Sequence, residues 1–244
     1  VIAEESAAPI ALTLTAVLAL LYSPSVWYVR TPVVIAGLVG FLWRRALSRP
    51  LLWTALAAVL AAGVFVQRFA IEEHQILMAS WCGAIALSLG AADPGETLRR
   101  NARAMVGLTF AFAAAWKLAS PEYVSGALLE RALLTDDRFA GFTWLVTGLS
   151  RQALEANRAA IEGLQGATAS STLAWLTSSP EVSALARAMT WYTLAIESWI
   201  ALAFLLPRPG WFHHTRDLAL VAFLFTTCSV APVPGSAYLL IAMG

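Results

Sequence analysis

Long apolar runs with few or no charged residues constrain the fold of this chain more than any other feature. Hydrocarbon offers no hydrogen-bond partner to backbone N–H and C=O groups, so a chain that crosses it must be helical there. About 20 residues are needed for one crossing. We therefore predict membrane-spanning helices in six segments: 6–29, 50–67, 75–92, 104–120, 187–206 and 218–231. Lys117 lies near the end of 104–120, and Glu197 lies midway along 187–206.

Two further runs are shorter than a full span. The segment 31–43 is uncharged for 13 positions, so this second span either recruits residues before Arg30 or is tilted and short. The segment 236–244 is still apolar where the sequence stops, which suggests the start of an eighth helix that is incomplete. We therefore expect an all-α, polytopic transmembrane bundle of seven to eight helices.

Composition excludes the main alternatives to a membrane protein. Hydrophobic residues make up 59% of the chain and charged residues 13%, which is too little charge to cover the surface of a soluble domain of 244 residues. The net charge of +1 provides no basic face for nucleic acid. The lipid bilayer is therefore the first partner that the sequence predicts.

The segment 121–186 is more polar than its neighbours and interrupts the series of spans. Within it Leu154, Ile161 and Leu164 fall on one helical face, and Arg151 and Glu155 fall on the other. We predict amphipathic helices at the membrane surface. The chain then divides into helices one to five (1–120), the helical insertion (121–186) and helices six to eight (187–244).

Arginine clusters predict the orientation, because Lys and Arg accumulate in short cytoplasmic loops. Three alternate loops carry most of them, with Arg44, Arg45 and Arg49, then Arg99, Arg100 and Arg103, then Arg208 and Arg216. The short loops on the other side carry only Arg30 and Arg68. We expect a protein of the bacterial inner membrane, with the N-terminus and 121–186 on the extracytoplasmic side.

Lys117 is the only lysine of the chain. An arginine does not lose its proton in a protein, whereas a partly desolvated lysine is able to act as a base. Lys117 is therefore a candidate catalytic residue in a cavity that opens outward. The alternative is that its ammonium group extends to the membrane interface beside Trp116.

Glu197 and His74 are the other two candidate catalytic residues. A carboxylate deep in an apolar helix costs roughly 2.5 kcal/mol or more unless it is paired or protonated. Glu197 therefore needs a partner, which Lys117, an arginine or a serine could provide, in either a structural or a functional role. His74 opens the fourth span behind Glu72 and Glu73, where a capping or interfacial role is the alternative; we predict no metal site.

Three segments follow one another in a recognisable order: Glu72-Glu73-His74-Gln75-Ile76-Leu77, Phe112-Ala113-Ala114-Ala115-Trp116-Lys117-Leu118 and Val124-Ser125-Gly126. In this order they resemble the vitamin K-dependent gamma-carboxylase family and, more broadly, the HTTM membrane domain that this family shares with many bacterial proteins. The segment Ile196-Glu197-Ser198-Trp199 also resembles the family's later acidic helix and the related DoxX-type membrane proteins. The resemblance covers roughly residues 70–244.

The resemblance implies roles for two of the candidates. Lys117 matches the lysine that deprotonates vitamin K hydroquinone in the carboxylases, and His74 matches a histidine near the same pocket. The chain has Phe225-Thr226-Thr227-Cys228 where the family's later helix carries a histidine, and it lacks the large outer β-rich domain that receives protein substrate. We therefore expect a protein that does not carboxylate peptides.

Two functions follow from these observations. In the first, the chain is an accessory or structural subunit whose tryptophan-rich helices pack against other subunits of a larger membrane complex. The cofactor that the sequence leaves open is a quinone or a bound lipid. In the second, it is a membrane enzyme related to the carboxylases, in which Lys117 acts as base on a quinone or lipid-like substrate, with His74 and Glu197 assisting. The second function predicts a cavity that touches Lys117.

Overall fold

The structure is a computed structural model that describes residues 2–67, 73–166, 176–206, 211–232 and 234–244. Its α-helices are α1 (Ile2–Tyr22), α2 (Trp27–Leu42), α3 (Pro50–Val66), α4 (Glu73–Leu89), α5 (Pro94–Ala119), α6 (Pro121–Val124), α7 (Ala127–Thr135), α8 (Asp137–Thr147), α9 (Arg151–Gly166), α10 (Pro180–Leu205), α11 (Trp211–Val230) and α12 (Pro234–Met243). A 3-10 helix, Arg44–Ala46, precedes α3. No strand occurs in these ranges, so the all-α prediction is confirmed.

Among the described residues, one helix is long and apolar enough to cross a membrane, and it is α10. Four more apolar helical segments are shorter, at 10–17 residues: Ala8–Tyr22, Trp27–Leu42, Pro50–Val66 and Pro234–Met243. The number of spans therefore stays a prediction, whereas the helical architecture is established.

The first predicted span is wrong as a single helix. Over 6–29 the chain instead forms the end of α1, which stops at Tyr22, and the start of α2, which begins at Trp27. Between them lies Ser23-Pro24-Ser25, where the proline disfavours helical backbone at the residue before it. Arg30 lies inside α2, so the second helix does recruit residues that precede this arginine.

Prolines mark the first residue of five helices: α3, α5, α6, α10 and α12. A proline is favourable at this position because the missing N–H would have no partner within the helix. Two of these helices also have a side-chain cap. Asp93 Oδ1 accepts from the N–H of Glu96 at 3.1 Å, and Ser120 Oγ accepts from the N–H of Tyr123 at 3.3 Å. These contacts fix where α5 and α6 begin.

The chain forms two compact units, one made of 1–108 with 233–244 and the other made of 109–232. In the first unit α3 packs against α2 and α4, and α1 packs against α2 and α12. Two fully buried tryptophans lie in its core, where Trp81 Nε1 donates to Thr15 Oγ1 at 2.9 Å and Trp53 Nε1 donates to the carbonyl oxygen of Leu47 at 2.7 Å.

In the second unit α10 is the central helix and contacts α6, α7, α8 and α11. A buried apolar cluster joins it to the helices of the 121–186 segment; its members are Leu133, Leu134, Leu154, Val182 and Ala186. Helix α9 buries Leu154 and exposes Arg151 and Glu155, as its periodicity predicts. The side chain of Leu164 lies outside the described residues.

Candidate functional site

Lys117 and Glu197 meet in the second unit although 80 residues separate them in the sequence. Lys117 lies in the last turn of α5, and its ammonium group donates to Oε1 of Glu197 in α10. The Glu197 side chain is 5% exposed and the Lys117 side chain 20%. The structure thus pairs the buried Glu197 carboxylate with Lys117, which was one of the partners considered from the sequence.

Tyr123 completes the surroundings of the ammonium group. The centre of its ring lies 5.3 Å from Lys117 Nζ, within the range of a cation–π contact. Its hydroxyl lies 2.7 Å from Thr193 Oγ1 in α10. The Thr193 hydroxyl also contacts the helix carbonyl oxygens of Met189 and Thr190, each at 2.9 Å.

The turn after Lys117 brings Tyr123 to α10. Ser120 caps the single turn of α6, which begins at Pro121 and ends at Val124, and Ser125 and Gly126 follow before α7. Gly126 has a φ of 86°, in the left-handed region, and a Cβ atom there would lie 3.0 Å from the side chain of Arg187. A glycine is therefore required for the close approach of this turn to α10.

One face of α10 carries the polar partners of this site. Thr190, Thr193 and Glu197 are spaced at i, i+3 and i+7, so they lie along one side of the helix. The Thr190 hydroxyl contacts the carbonyl oxygens of Ala186, at 2.9 Å, and of Tyr123, at 3.4 Å. This spacing was readable in the sequence, but Tyr123, Thr190 and Thr193 were not among the predicted site residues.

His74, the third predicted catalytic residue, belongs to the first unit, whereas Lys117 and Glu197 belong to the second. Its Nε2 lies 3.3 Å from the carbonyl oxygen of Tyr22, and the two rings meet edge to face with centres 5.8 Å apart. The imidazole also packs against Gly235, where a Cβ atom would lie 2.9 Å from His74 Cγ. Glu72, its predicted neighbour, lies outside the described residues, as do Arg68 and Arg208.

The chemistry available at this site is that of a charge-neutral, hydrogen-bonded pair. An ammonium group offers three donors and no acceptor, so it is suited to pairing with a carboxylate. A cavity of about 230 Å³ lies in the same unit, but its lining comes from α8 and α9 and does not include Lys117. Within the described ranges, no three His, Cys, Asp or Glu side chains gather to form a possible metal site.

Comparison with known proteins identifies no relative. No protein-family model, no curated protein and no solved structure matches this chain. The resemblance of Lys117 and its flanking residues to the HTTM and gamma-carboxylase proteins therefore stays a hypothesis. The case for a function depends on the geometry of the chain itself.

Proposed function

We propose that this chain is a polytopic membrane protein of the HTTM type, with seven or eight spans, that serves as an accessory or structural subunit of a larger membrane complex. Its exposed surface supports a location in the bilayer. Nine large apolar side chains are more than 70% exposed: Trp27, Leu42, Leu51, Phe65, Leu87, Phe112, Trp116, Leu145 and Phe225. Large apolar side chains that are exposed in this number fit a chain whose surface lies in hydrocarbon.

The ends of α2 support a span of less than the usual length. This helix has 16 residues, which at 1.5 Å per residue gives roughly 24 Å against the ~30 Å of a typical hydrocarbon core. Exposed tryptophans, Trp27 and Trp43, stand at its two ends. Tryptophan prefers the interface, and short spans are accommodated by local thinning of the bilayer. Helix α2 therefore fits a short crossing anchored at both interfaces.

The ion pair between Lys117 and Glu197 supports a structural role for this chain. The pair connects the end of α5 to the middle of α10, and each charge neutralises the other. An ionisable group in an apolar helix is tolerated when it is paired in this way. The only lysine of the chain thus has a complete structural role in holding two helices together, without any substrate.

The orientation follows from the arginine clusters. Arg99 and Arg100 lie near the start of α5, with side chains 62% and 75% exposed, and both pair with Glu96. Charged side chains of this kind fit the aqueous side of a membrane. We place them in the cytoplasm of a bacterial cell, and we place the N-terminus and the 121–186 segment on the opposite side of the inner membrane.

Isolation of the intact protein tests the proposal. After extraction from its native membrane in mild detergent, the chain should migrate in a native gel at a mass well above 26.1 kDa plus its detergent, together with a constant set of other subunits. A monomer that contains a stoichiometric quinone would contradict the accessory role. A chain that leaves the membrane on alkaline carbonate washing would contradict the membrane location.

A second function, that of an enzyme acting on a quinone or lipid-like substrate, is favoured by one observation. A fifth of the Lys117 side chain is exposed, so a substrate is able to reach it, and the ring of Tyr123, whose hydroxyl contacts Thr193, lies beside the amine. Substitution of Lys117 by arginine separates the two functions, because arginine retains the charge but does not act as a base.

A further inference from the structure

A cavity of about 230 Å³ lies between α8 and α9, away from the Lys117 pair within the second unit. Four charged side chains line it, Asp137 from α8 and Arg151, Glu155 and Arg158 from α9. Its apolar part comes from small residues of α8 and from Leu154. The lining thus combines two cations and two anions around a small hollow, which is unusual in a chain with 13% charged residues.

The two guanidinium groups of the cavity differ in what they contact. Arg158 Nη2 donates to Asp137 Oδ1 at 2.6 Å, but the buried Nε of Arg158 has no hydrogen-bond partner in the described part of the chain. The guanidinium carbon of Arg151 lies 4.8 Å from the centre of the Trp144 ring. The Arg158 guanidinium therefore has hydrogen-bonding capacity that Asp137 does not use, and the Arg151 guanidinium packs on an aromatic ring.

The anionic side chains give the same cavity a place for a cation. The Asp137 side chain is 80% exposed, so one of its carboxylate oxygens pairs with Arg158 while the group remains open to a second partner. Glu155 adds another exposed carboxylate. A ligand that fits this lining carries both signs of charge, because a simple anion would meet two carboxylates and a simple cation would meet two guanidinium groups.

The face of α8 that lines the cavity continues into an exposed apolar surface. The cavity is lined on this side by Asp137, Ala140 and Gly141. Trp144 follows Asp137 at i+7 and Leu145 follows Gly141 at i+4, so both lie on the same face of α8. Trp144 is 45% exposed and Leu145 is 74% exposed. Tryptophan beside an exposed leucine is typical of a helix that lies in the headgroup region with its apolar side in the acyl chains.

We infer that this cavity binds the headgroup of a phospholipid that carries both a phosphodiester and a primary ammonium group, as phosphatidylethanolamine does. Arg151 and Arg158 contact the phosphate, Asp137 and Glu155 contact the ammonium group, and the acyl chains extend past Trp144 and Leu145. The inference depends on the membrane location proposed above, since a lipid accounts for both the charged cavity and the exposed apolar surface beside it.

Lipid titration of the full chain tests this site. The protein in maltoside detergent is mixed with phosphatidylethanolamine, phosphatidylglycerol or phosphatidylcholine of identical acyl chains, and the bound lipid is counted by native mass spectrometry. We expect phosphatidylethanolamine to bind roughly tenfold more tightly than the other two, which is the scale of one charge-assisted hydrogen bond. Soluble phosphoethanolamine at the same concentration should not displace it, because it lacks the acyl chains.

Two variants and a matched control locate the effect. Arg158→Gln should weaken binding of phosphatidylethanolamine roughly tenfold. Asp137→Asn changes an exposed side chain and should remove most of the preference over phosphatidylcholine while phosphate binding remains. Arg131→Gln makes the same change of charge at an exposed position of α7 outside the cavity, and it should bind as the unmodified protein does.

The outcomes separate this site from the membrane proposal. Equal binding of the three lipids, a preference that survives both cavity variants, a preference for phosphatidylglycerol, or displacement by phosphoethanolamine would each overturn the lipid site. The membranes from which the protein is extracted are washed with alkaline carbonate before the detergent is added. Loss of the chain from the membrane fraction in that step would instead remove the membrane location on which the lipid site depends.

Discussion

The Lys117 ammonium group donates to the Glu197 carboxylate, so the only lysine of this chain joins the end of α5 to the middle of α10. The pair holds the one strongly buried carboxylate among the described residues of α10, at 5% exposure. Removing one partner from such a pair is costly because the other charge remains in an apolar setting, whereas removing both is nearly neutral. Single and double substitutions of the pair should therefore differ in their free energy of unfolding, which is measurable.

Glu197→Leu should lower the free energy of unfolding by about 3 kcal/mol, since it leaves the Lys117 ammonium without its carboxylate. The double variant Lys117→Met with Glu197→Leu should recover most of that loss. Unfolding in mixed micelles by titration with dodecyl sulfate, followed by circular dichroism, gives the comparison. A double variant as unstable as the single one would show that the pair does not act as a unit.

The matched control for this experiment is Glu96→Gln. Glu96 also pairs with two cations, Arg99 and Arg100, but it does so at the exposed start of α5. Exposed pairs of this kind contribute little to stability because solvent screens them. The control should therefore unfold at nearly the same dodecyl sulfate concentration as the unmodified protein.

The helices could be predicted from the sequence because each apolar run exceeds the length that a loop would tolerate. Their ends could be predicted where a capping side chain and a proline coincide, as at Ser120-Pro121, which begins α6. The break between α1 and α2 was missed because Ser23-Pro24-Ser25 is short and both flanks are apolar. Apolar composition alone does not reveal that one helix ends and the next begins within four residues.

The site was only half predictable from sequence. That Glu197 needs a partner followed from its position in an apolar helix, but choosing Lys117 among the candidates required the packing of elements 80 residues apart. Tyr123 was missed because an aromatic residue near a helix end is common at membrane interfaces. Its role depends on the turn at Gly126, and no periodicity in the sequence reveals that turn.

Substitution of Gly126 should destabilise the protein. In Gly126→Ala the new Cβ atom would lie 3.0 Å from the Arg187 side chain, at a φ of 86° that non-glycine residues rarely adopt. We expect a loss of about 1–2 kcal/mol, measured by the same dodecyl sulfate titration. Gly163→Ala is the control, because Gly163 lies in α9 with open space around it and alanine there should be neutral or stabilising by up to roughly 1 kcal/mol.

Acid should weaken the second unit through Asp136. The Arg138 guanidinium donates to the Asp136 carboxylate at 2.6 Å and holds the pKa of Asp136 below its ordinary value of 3.8. A lowered pKa means that the stabilisation is present above that ordinary value and is lost as the pH falls through the lowered one. Asp136→Asn should therefore be less stable than the unmodified protein at pH 6, and the difference should shrink below about pH 4.

The measurement for Asp136 is the midpoint of thermal unfolding for both proteins across the acid range. Asparagine is also able to cap α8, where Asp136 Oδ1 accepts from the N–H of Arg138 at 3.0 Å, so the comparison isolates the charge. A difference between the two proteins that stays constant with pH would show that the charge of Asp136 contributes nothing.

The proposed orientation predicts which engineered cysteines a membrane-impermeant maleimide reaches in intact cells. In a Cys228→Ala background, a cysteine at Gly163, exposed in α9, should be labelled. A cysteine at Ser48, exposed in the arginine-rich loop before α3, should be labelled only after the cells are opened. The reverse pattern would invert the topology while leaving the helices unchanged.

Lys117→Arg in the native host tests the central claim most directly, namely that the ammonium group of Lys117 connects two helices and is not a base. Arginine retains the positive charge and the ability to pair with Glu197. We predict that the variant accumulates to the level of the unmodified protein, enters the same membrane complex on a native gel and supports the same growth. A variant that assembles normally but loses the cellular function would contradict this account and assign Lys117 to proton transfer.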